Sequence, residues 1–244
     1  MASGVWLRNI WRVEWAPMVS LITEGPRAAA AHLLLAHGAG APMTSPFMQR
    51  IAQLLAERRF PVSRFEFAYM AGRRQDGKRR PPPKAERLVD EYRDAVAAVH
   101  EKLAPATKLL IGGKSMGGRV ASLVADELFG EGRIAGLVCL GYPFHPPGKP
   151  EALRTAHLEH LRCPALIVQG ERDPFGNRSE VEALKLSPSI SFAWAGDGDH
   201  DLGPRGGSGF TRAGNLAAAA DAIEAFAEQL PLNKRKGPAT MREP

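Results

Sequence analysis

The chain has 244 residues, 44% of them hydrophobic, only two cysteines, and a formal net charge of +6. That length and apolar content suffice for one large buried core, and two cysteines are too few for a disulfide framework. No apolar run reaches the 18 residues of a membrane-span candidate, and Arg8, Arg12 and Glu14 interrupt the N-terminus where a signal-peptide core would lie.

The positive charge is concentrated. Residues 71–84 carry Arg73, Arg74, Lys78, Arg79, Arg80 and Lys84 against Asp76, and the tail from Leu232 carries Lys234, Arg235, Lys236 and Arg242 against Glu243, leaving the body at about −2. Basic segments without interleaved aromatic residues read as solvated stretches, so no nucleic-acid partner is expected. Three regions follow: an extension over 1–17, either an edge strand or disordered; one domain over 18–231; and a flexible basic tail over 232–244.

In chain order, the first strand candidates are 18–23 and 32–37. The second runs into His37-Gly38-Ala39-Gly40-Ala41, small residues that let a backbone approach a ligand closely. A helix over 46–59 and a strand over 62–67 precede the basic segment, read as a loop. The next helix spans 85–103.

The strand over 107–112 is followed at once by Gly113-Lys114-Ser115-Met116-Gly117 and a helix over 116–129. A serine between strand and helix, with glycine two residues to either side, fits a sharp turn that presents Oγ at a helix N-terminus. The serine therefore reads as a nucleophile. The full phosphate-loop pattern is absent, because position 108 is lysine where that motif needs glycine.

A strand over 134–140, holding Cys139, leads into a connection of about 23 residues containing Tyr142 and His145. It has room for a proline-rich loop and a short helix near 151–160, but not for a cap domain. His157 and His160 read as a solvated helix face. The strand over 164–169 delivers Glu171-Arg172-Asp173, and a helix covers 178–186. After the strand over 190–194 comes Asp197-Gly198-Asp199-His200, and a helix over 213–229 closes the domain.

Strands alternating with helices imply a mostly parallel sheet covered on both faces, with functional residues at the strands' carboxyl ends. Ser115, Asp173 and His200 all fall there, in the order expected of a strand-turn serine triad. His200 would be the base, and Asp173 would fix its tautomer. Oxyanion donors would be the backbone N–H of Met116 and that of Ala39, chosen over its neighbours Gly38 and Gly40. Gly38, Lys114, Tyr142 and His145 are possible substrate contacts. His37 reads as a backbone partner of the oxyanion loop. This chemistry calls for no metal and no organic cofactor.

The sequence resembles an α/β-hydrolase, through His37-Gly38-Ala39-Gly40, Arg79-Arg80-Pro81-Pro82-Pro83, Gly112 to Arg119, Gly141 to Pro150, Gln169 to Asp173 and Gly198-Asp199-His200. It is similar to a small group that includes bacterial hydrolase-like proteins, testis-expressed protein 30 and the hydrolase-like domain of a subunit of an NSL histone acetyltransferase complex. The resemblance implies the fold and the triad. In one place the chain departs from it: Asp201-Leu202 stand where a serine and an aromatic residue are expected.

Two functional classes follow. One is a serine hydrolase, esterase or thioesterase, acting on a small acyl substrate in the cytoplasm. The other is an interaction protein on the same fold, as some relatives are. The intact set of Ser115, Asp173 and His200 favours the first.

Overall fold

The computed structural model describes residues 19–78 and 81–231, except the side chains of 74–76. The expectations for 1–17, 232–244 and Arg79-Arg80 lie outside the described residues. Seven strands form one sheet in the order β1-β3-β2-β4-β5-β6-β7. They are β1 (Leu21–Glu24), β2 (Ala31–Ala36), β3 (Val62–Phe65), β4 (Lys108–Lys114), β5 (Gly136–Leu140), β6 (Ala165–Gly170) and β7 (Ile190–Ala195). Only β1 is antiparallel to its neighbour. An ion pair between the buried Arg64 of β3 and the partly exposed Glu24 of β1 joins these two strands.

Both faces of the sheet are covered. Successive side chains on a strand point to opposite faces, so Leu34 and Ala36 of β2 pack with α3 (Val89–His100) and α4 (Met116–Gly130). Leu33 and Leu35 pack instead with α1 (Pro46–Glu57) and α6 (Arg212–Gln229). Buried on both faces, the central strands read as continuous apolar runs, as parallel strands do.

The elements differ from expectation in four places. The basic segment begins as a helix, α2 (Ala68–Asp76), capped by Gly77 in the left-handed region (φ 67°), whose N–H donates to the Arg73 carbonyl. The helix expected over 85–103 divides into a 3-10 turn (Ala85–Arg87) and α3, directly after the proline block. The helix expected near 151–160 is only a 3-10 turn, Ala156–Leu158, and α5 is limited to Arg178–Glu182. Among the described residues, no helix is long and apolar enough to cross a membrane.

Candidate active site

β4 turns into α4 at Ser115, whose backbone lies at φ 52°, ψ −117°. The flanking glycines are required by space. A Cβ on Gly117 would lie 2.5 Å from the His37 carbonyl oxygen, and one on Gly113 would lie 2.6 Å from that of Ala36. β2 and the elbow are thus packed backbone to backbone, and the loop after β2 begins beside the serine.

Ser115 Oγ lies 2.9 Å from His200 Nε2, and His200 Nδ1 lies 2.8 Å from Asp173 Oδ2. With the Nδ1 proton donated to the carboxylate, Nε2 is free to accept the serine hydroxyl proton. The three residues come from the ends of β4, β6 and β7, as strand order at a parallel sheet's carboxyl edge predicts. The Phe175 ring packs against His200 at 4.3 Å between centroids.

Asp173 is fully buried. Its Oδ1 accepts the Phe175 N–H at 2.8 Å, and its Oδ2 accepts Gln169 Nε2 at 3.0 Å. Gln169, also fully buried, accepts the Tyr142 N–H at 2.7 Å through its own oxygen. Sequence reasoning gave Gln169 no role. Its one signal was an uncharged polar residue in an otherwise apolar strand, a choice that costs stability unless every polar atom finds a partner.

The loop carrying His200 is tied down by charge. Lys114 Nζ donates to the His200 carbonyl at 2.8 Å and pairs with Asp201 at 3.3 Å. Burial lowers the Lys114 pKa, partly offset by the Asp201, Asp173 and Asp199 carboxylates. The Asp201-Leu202 departure acquires a physical account: Asp201 partners Lys114, and Leu202 is fully buried among α1 and α6 side chains. Asp197 is held at about 2, chiefly by its hydrogen bonds to Arg205.

The loop from His37 to Ala41 is held from behind. His37 Nδ1–H donates to the Gly38 carbonyl at 2.7 Å, its Nε2 accepts the Phe67 N–H at 3.1 Å, and the Tyr69 hydroxyl donates to Ala39 O at 3.1 Å. Burial pushes His37 down to about 4, so it is neutral near pH 7. As the sequence suggested, it is a backbone partner.

A cleft with two lobes crosses Ser115. One lobe, of about 510 Å³, is lined by Ala39, Met116, Pro83, Arg119, Arg154 and Phe175. The other, of about 470 Å³, is lined by Gly38, Ala39, Phe47, Lys114, Phe175 and His200. Another cavity of about 400 Å³, bounded by Leu21, His32 and Ser63, contains none of the three hydrogen-bonded residues.

Gly38 and Lys114 therefore border the cleft, but Tyr142 and His145 do not. Tyr142 is fully buried, and its hydroxyl donates to the Arg154 carbonyl at 3.0 Å. His145 is buried with Nδ1 on the Pro146 carbonyl and Nε2 3.3 Å from Glu180. Both brace the β5–β6 connection. Nor are His157 and His160 a solvated pair: His157 Nε2 lies 2.8 Å from the Ser122 hydroxyl, while His160 is exposed.

A mostly parallel seven-stranded sheet with a serine at a strand-to-helix elbow defines the α/β-hydrolase fold. Residues 29–228 match the model of an alpha/beta hydrolase domain family, and the chain belongs to that family. Its fold is similar to that of a dienelactone hydrolase from Anabaena variabilis, at 22% identity and TM-score 0.65 over 87% of this chain and 93% of that one. It is also similar to an alpha-beta serine hydrolase homologue from Coxiella burnetii, at 17% identity and TM-score 0.63 over 87% and 92%. A lidless serine hydrolase from Xanthomonas campestris matches at 17% identity and TM-score 0.59 over 88% and 92%.

Proposed function

We propose that this protein is a serine hydrolase that cleaves a carboxylic ester or thioester of a small acyl substrate. The observation that carries the reading is the hydrogen-bonded line from Ser115 through His200 to Asp173 beneath an open cleft. His200 Nε2 takes the hydroxyl proton as Oγ attacks the carbonyl carbon, and Asp173 stabilises the imidazolium that forms. The tetrahedral oxyanion receives hydrogen bonds from the N–H groups of Met116 and Ala39. Each such donor typically contributes about 2.7–4 kcal/mol of barrier lowering.

His200 then returns its proton to the leaving alcohol or thiol, which departs as the acyl-enzyme forms. A water attacks that acyl group with His200 again as base, releasing the acid and restoring Ser115. The short β5–β6 connection leaves the cleft open, which favours small substrates over long acyl chains. Two buried free thiols suit a reducing compartment, and on that ground we place the enzyme in the cytoplasm. The closer kinship with the testis-expressed protein 30 group is part of this proposal, resting on the shared motifs from His37-Gly38-Ala39-Gly40 to Gly198-Asp199-His200.

The test is labelling of the purified chain with a fluorophosphonate, read by intact mass. One adduct is expected on the native protein, with none on Ser115→Ala or His200→Ala of unchanged circular dichroism. Adducts that persist in Ser115→Ala would place the nucleophile elsewhere, and a folded native protein that takes none would sink the reading.

A further inference from the structure

The larger lobe of the cleft is electrostatically one-sided. Lys84, Arg119 and Arg154 line it against a single carboxylate, Glu86. Glu86 is engaged by Arg119, whose Nη2 donates to it at 2.5 Å. The Arg119 Nε is buried and has no hydrogen-bond partner. Arg154 goes further: among the described residues, no carboxylate lies within ion-pair distance of it and no hydrogen bond is made by its guanidinium.

Arg154 is nonetheless held in place. Its N–H donates to the Phe144 carbonyl at 2.7 Å, and its own carbonyl accepts the buried Tyr142 hydroxyl at 3.0 Å. The backbone is clamped on both sides while the charged end stays unpaired at the cleft. Burial and the facing Arg119 charge both work against its protonated form. A half-buried cation next to a second cation costs free energy unless an anion completes the group. The planar guanidinium fork matches a carboxylate in particular.

We propose that the ester substrate carries a carboxylate, bound in this lobe by Arg154 with Arg119 beside it. The inference rests on the serine-hydrolase reading for turnover, but the anion site itself does not depend on catalysis. Two of the three cations that line this lobe, Arg119 and Arg154, come from α4 and the β5–β6 connection.

The experiment uses two ester pairs, one for each side of the scissile bond: 4-nitrophenyl hemiglutarate against its methyl ester, and the butyrates of 4-hydroxybenzoate against 4-hydroxybenzamide. In native protein, Arg154→Gln, Arg154→Lys and Arg119→Gln, the readout is the charged-to-neutral ratio of kcat/KM, which cancels intrinsic reactivity. In at least one pair the ratio should fall roughly tenfold to a hundredfold in Arg154→Gln, the scale of a lost charge-assisted hydrogen bond, mostly through KM. Arg154→Lys should recover part of it. Ratios equal within twofold in all four proteins overturn the proposal.

A second arm titrates glutarate calorimetrically into Ser115→Ala protein with and without Arg154→Gln. Arg154-dependent glutarate binding without any ester turnover would keep the anion site and discard the hydrolase reading. Turnover in which neither the ratios nor glutarate binding respond to Arg154 would do the reverse. Should Arg154→Gln fail to fold, Arg154→Lys and Arg119→Gln carry the same comparison.

Discussion

Ser115 sits in the left-handed region, where a residue with a Cβ costs on the order of 1–3 kcal/mol relative to an unstrained conformation. The packing of Gly113 and Gly117 against β2 holds it there. Ser115→Gly should therefore stabilise the domain by about 1 kcal/mol in urea melts while abolishing turnover. Ser115→Ala, which keeps the Cβ, should not show that gain. Equal midpoints for the two variants would mean that the elbow stores no strain at this position. The hydrogen-bonded set of Ser115, Asp173 and His200 was legible because these residues stand on turn-rich loops after apolar runs, where few other roles suit them. Gln169 and Arg154 were not, because their meaning comes from what lies across the fold: a buried carboxylate for one, a second guanidinium and an open lobe for the other. Tyr142 and His145 were misread for the same reason. Both lie on the predicted loop beside the cleft, but tertiary packing turns their side chains inward to brace it.

Strands were easier to place from the sequence than helices. β2, β4, β5 and β6 are apolar runs that nothing else explains, whereas α2 was hidden in a charge-rich segment whose only boundary mark was Gly77. α3 shows how an element reaches the site without touching it. Tyr92 on α3 is fully buried, accepting the Gly112 N–H at 2.9 Å and donating to the Gly112 carbonyl at 2.6 Å, three residues before Ser115. The hydroxyl docks the helix on β4 just below the elbow. Tyr92→Phe keeps the ring and its edge-on contact with Phe65 but deprives Gly112 of this partner. The expected loss is about 1–3 kcal/mol, the cost of leaving a buried backbone group unsatisfied, and a few degrees in Tm for a domain of this size. A melting curve superimposable on that of the native protein would show that Gly112 finds another partner.

The molecule as a whole is two apolar layers closed over one sheet, and it buries several ionisable groups. His32 and His37, at the two ends of β2, are both pushed down to about 4 from an ordinary 6.5, first of all by burial. His32 is paired with the Ser63 hydroxyl at 2.8 Å, and His37 supports the loop at Gly38. Burial lowers His157 in the same direction. A depressed histidine pKa means that the unfolded chain binds protons that the folded one refuses. The stability these residues support is therefore complete above about pH 6.5 and is lost as pH falls toward 4. A tenfold difference in proton affinity between the folded and unfolded chain corresponds to about 1.36 kcal/mol, so the loss is of order 2–3 kcal/mol for each of His32 and His37. Asp197 acts in a separate window: its pKa is depressed, so its contribution holds above about 4 and is lost as pH falls toward 2. Urea unfolding measured from pH 7.5 to 4 should show stability falling with acid, and His32→Gln with His37→Asn should flatten that slope even though the double variant starts less stable at pH 7.5. An unchanged slope would assign the acid sensitivity to other groups. A flattened one would mean that His37, which holds the Gly38 loop beside Ser115, is also among the first to fail on acidification, so that loss of activity and loss of fold should share one pH window.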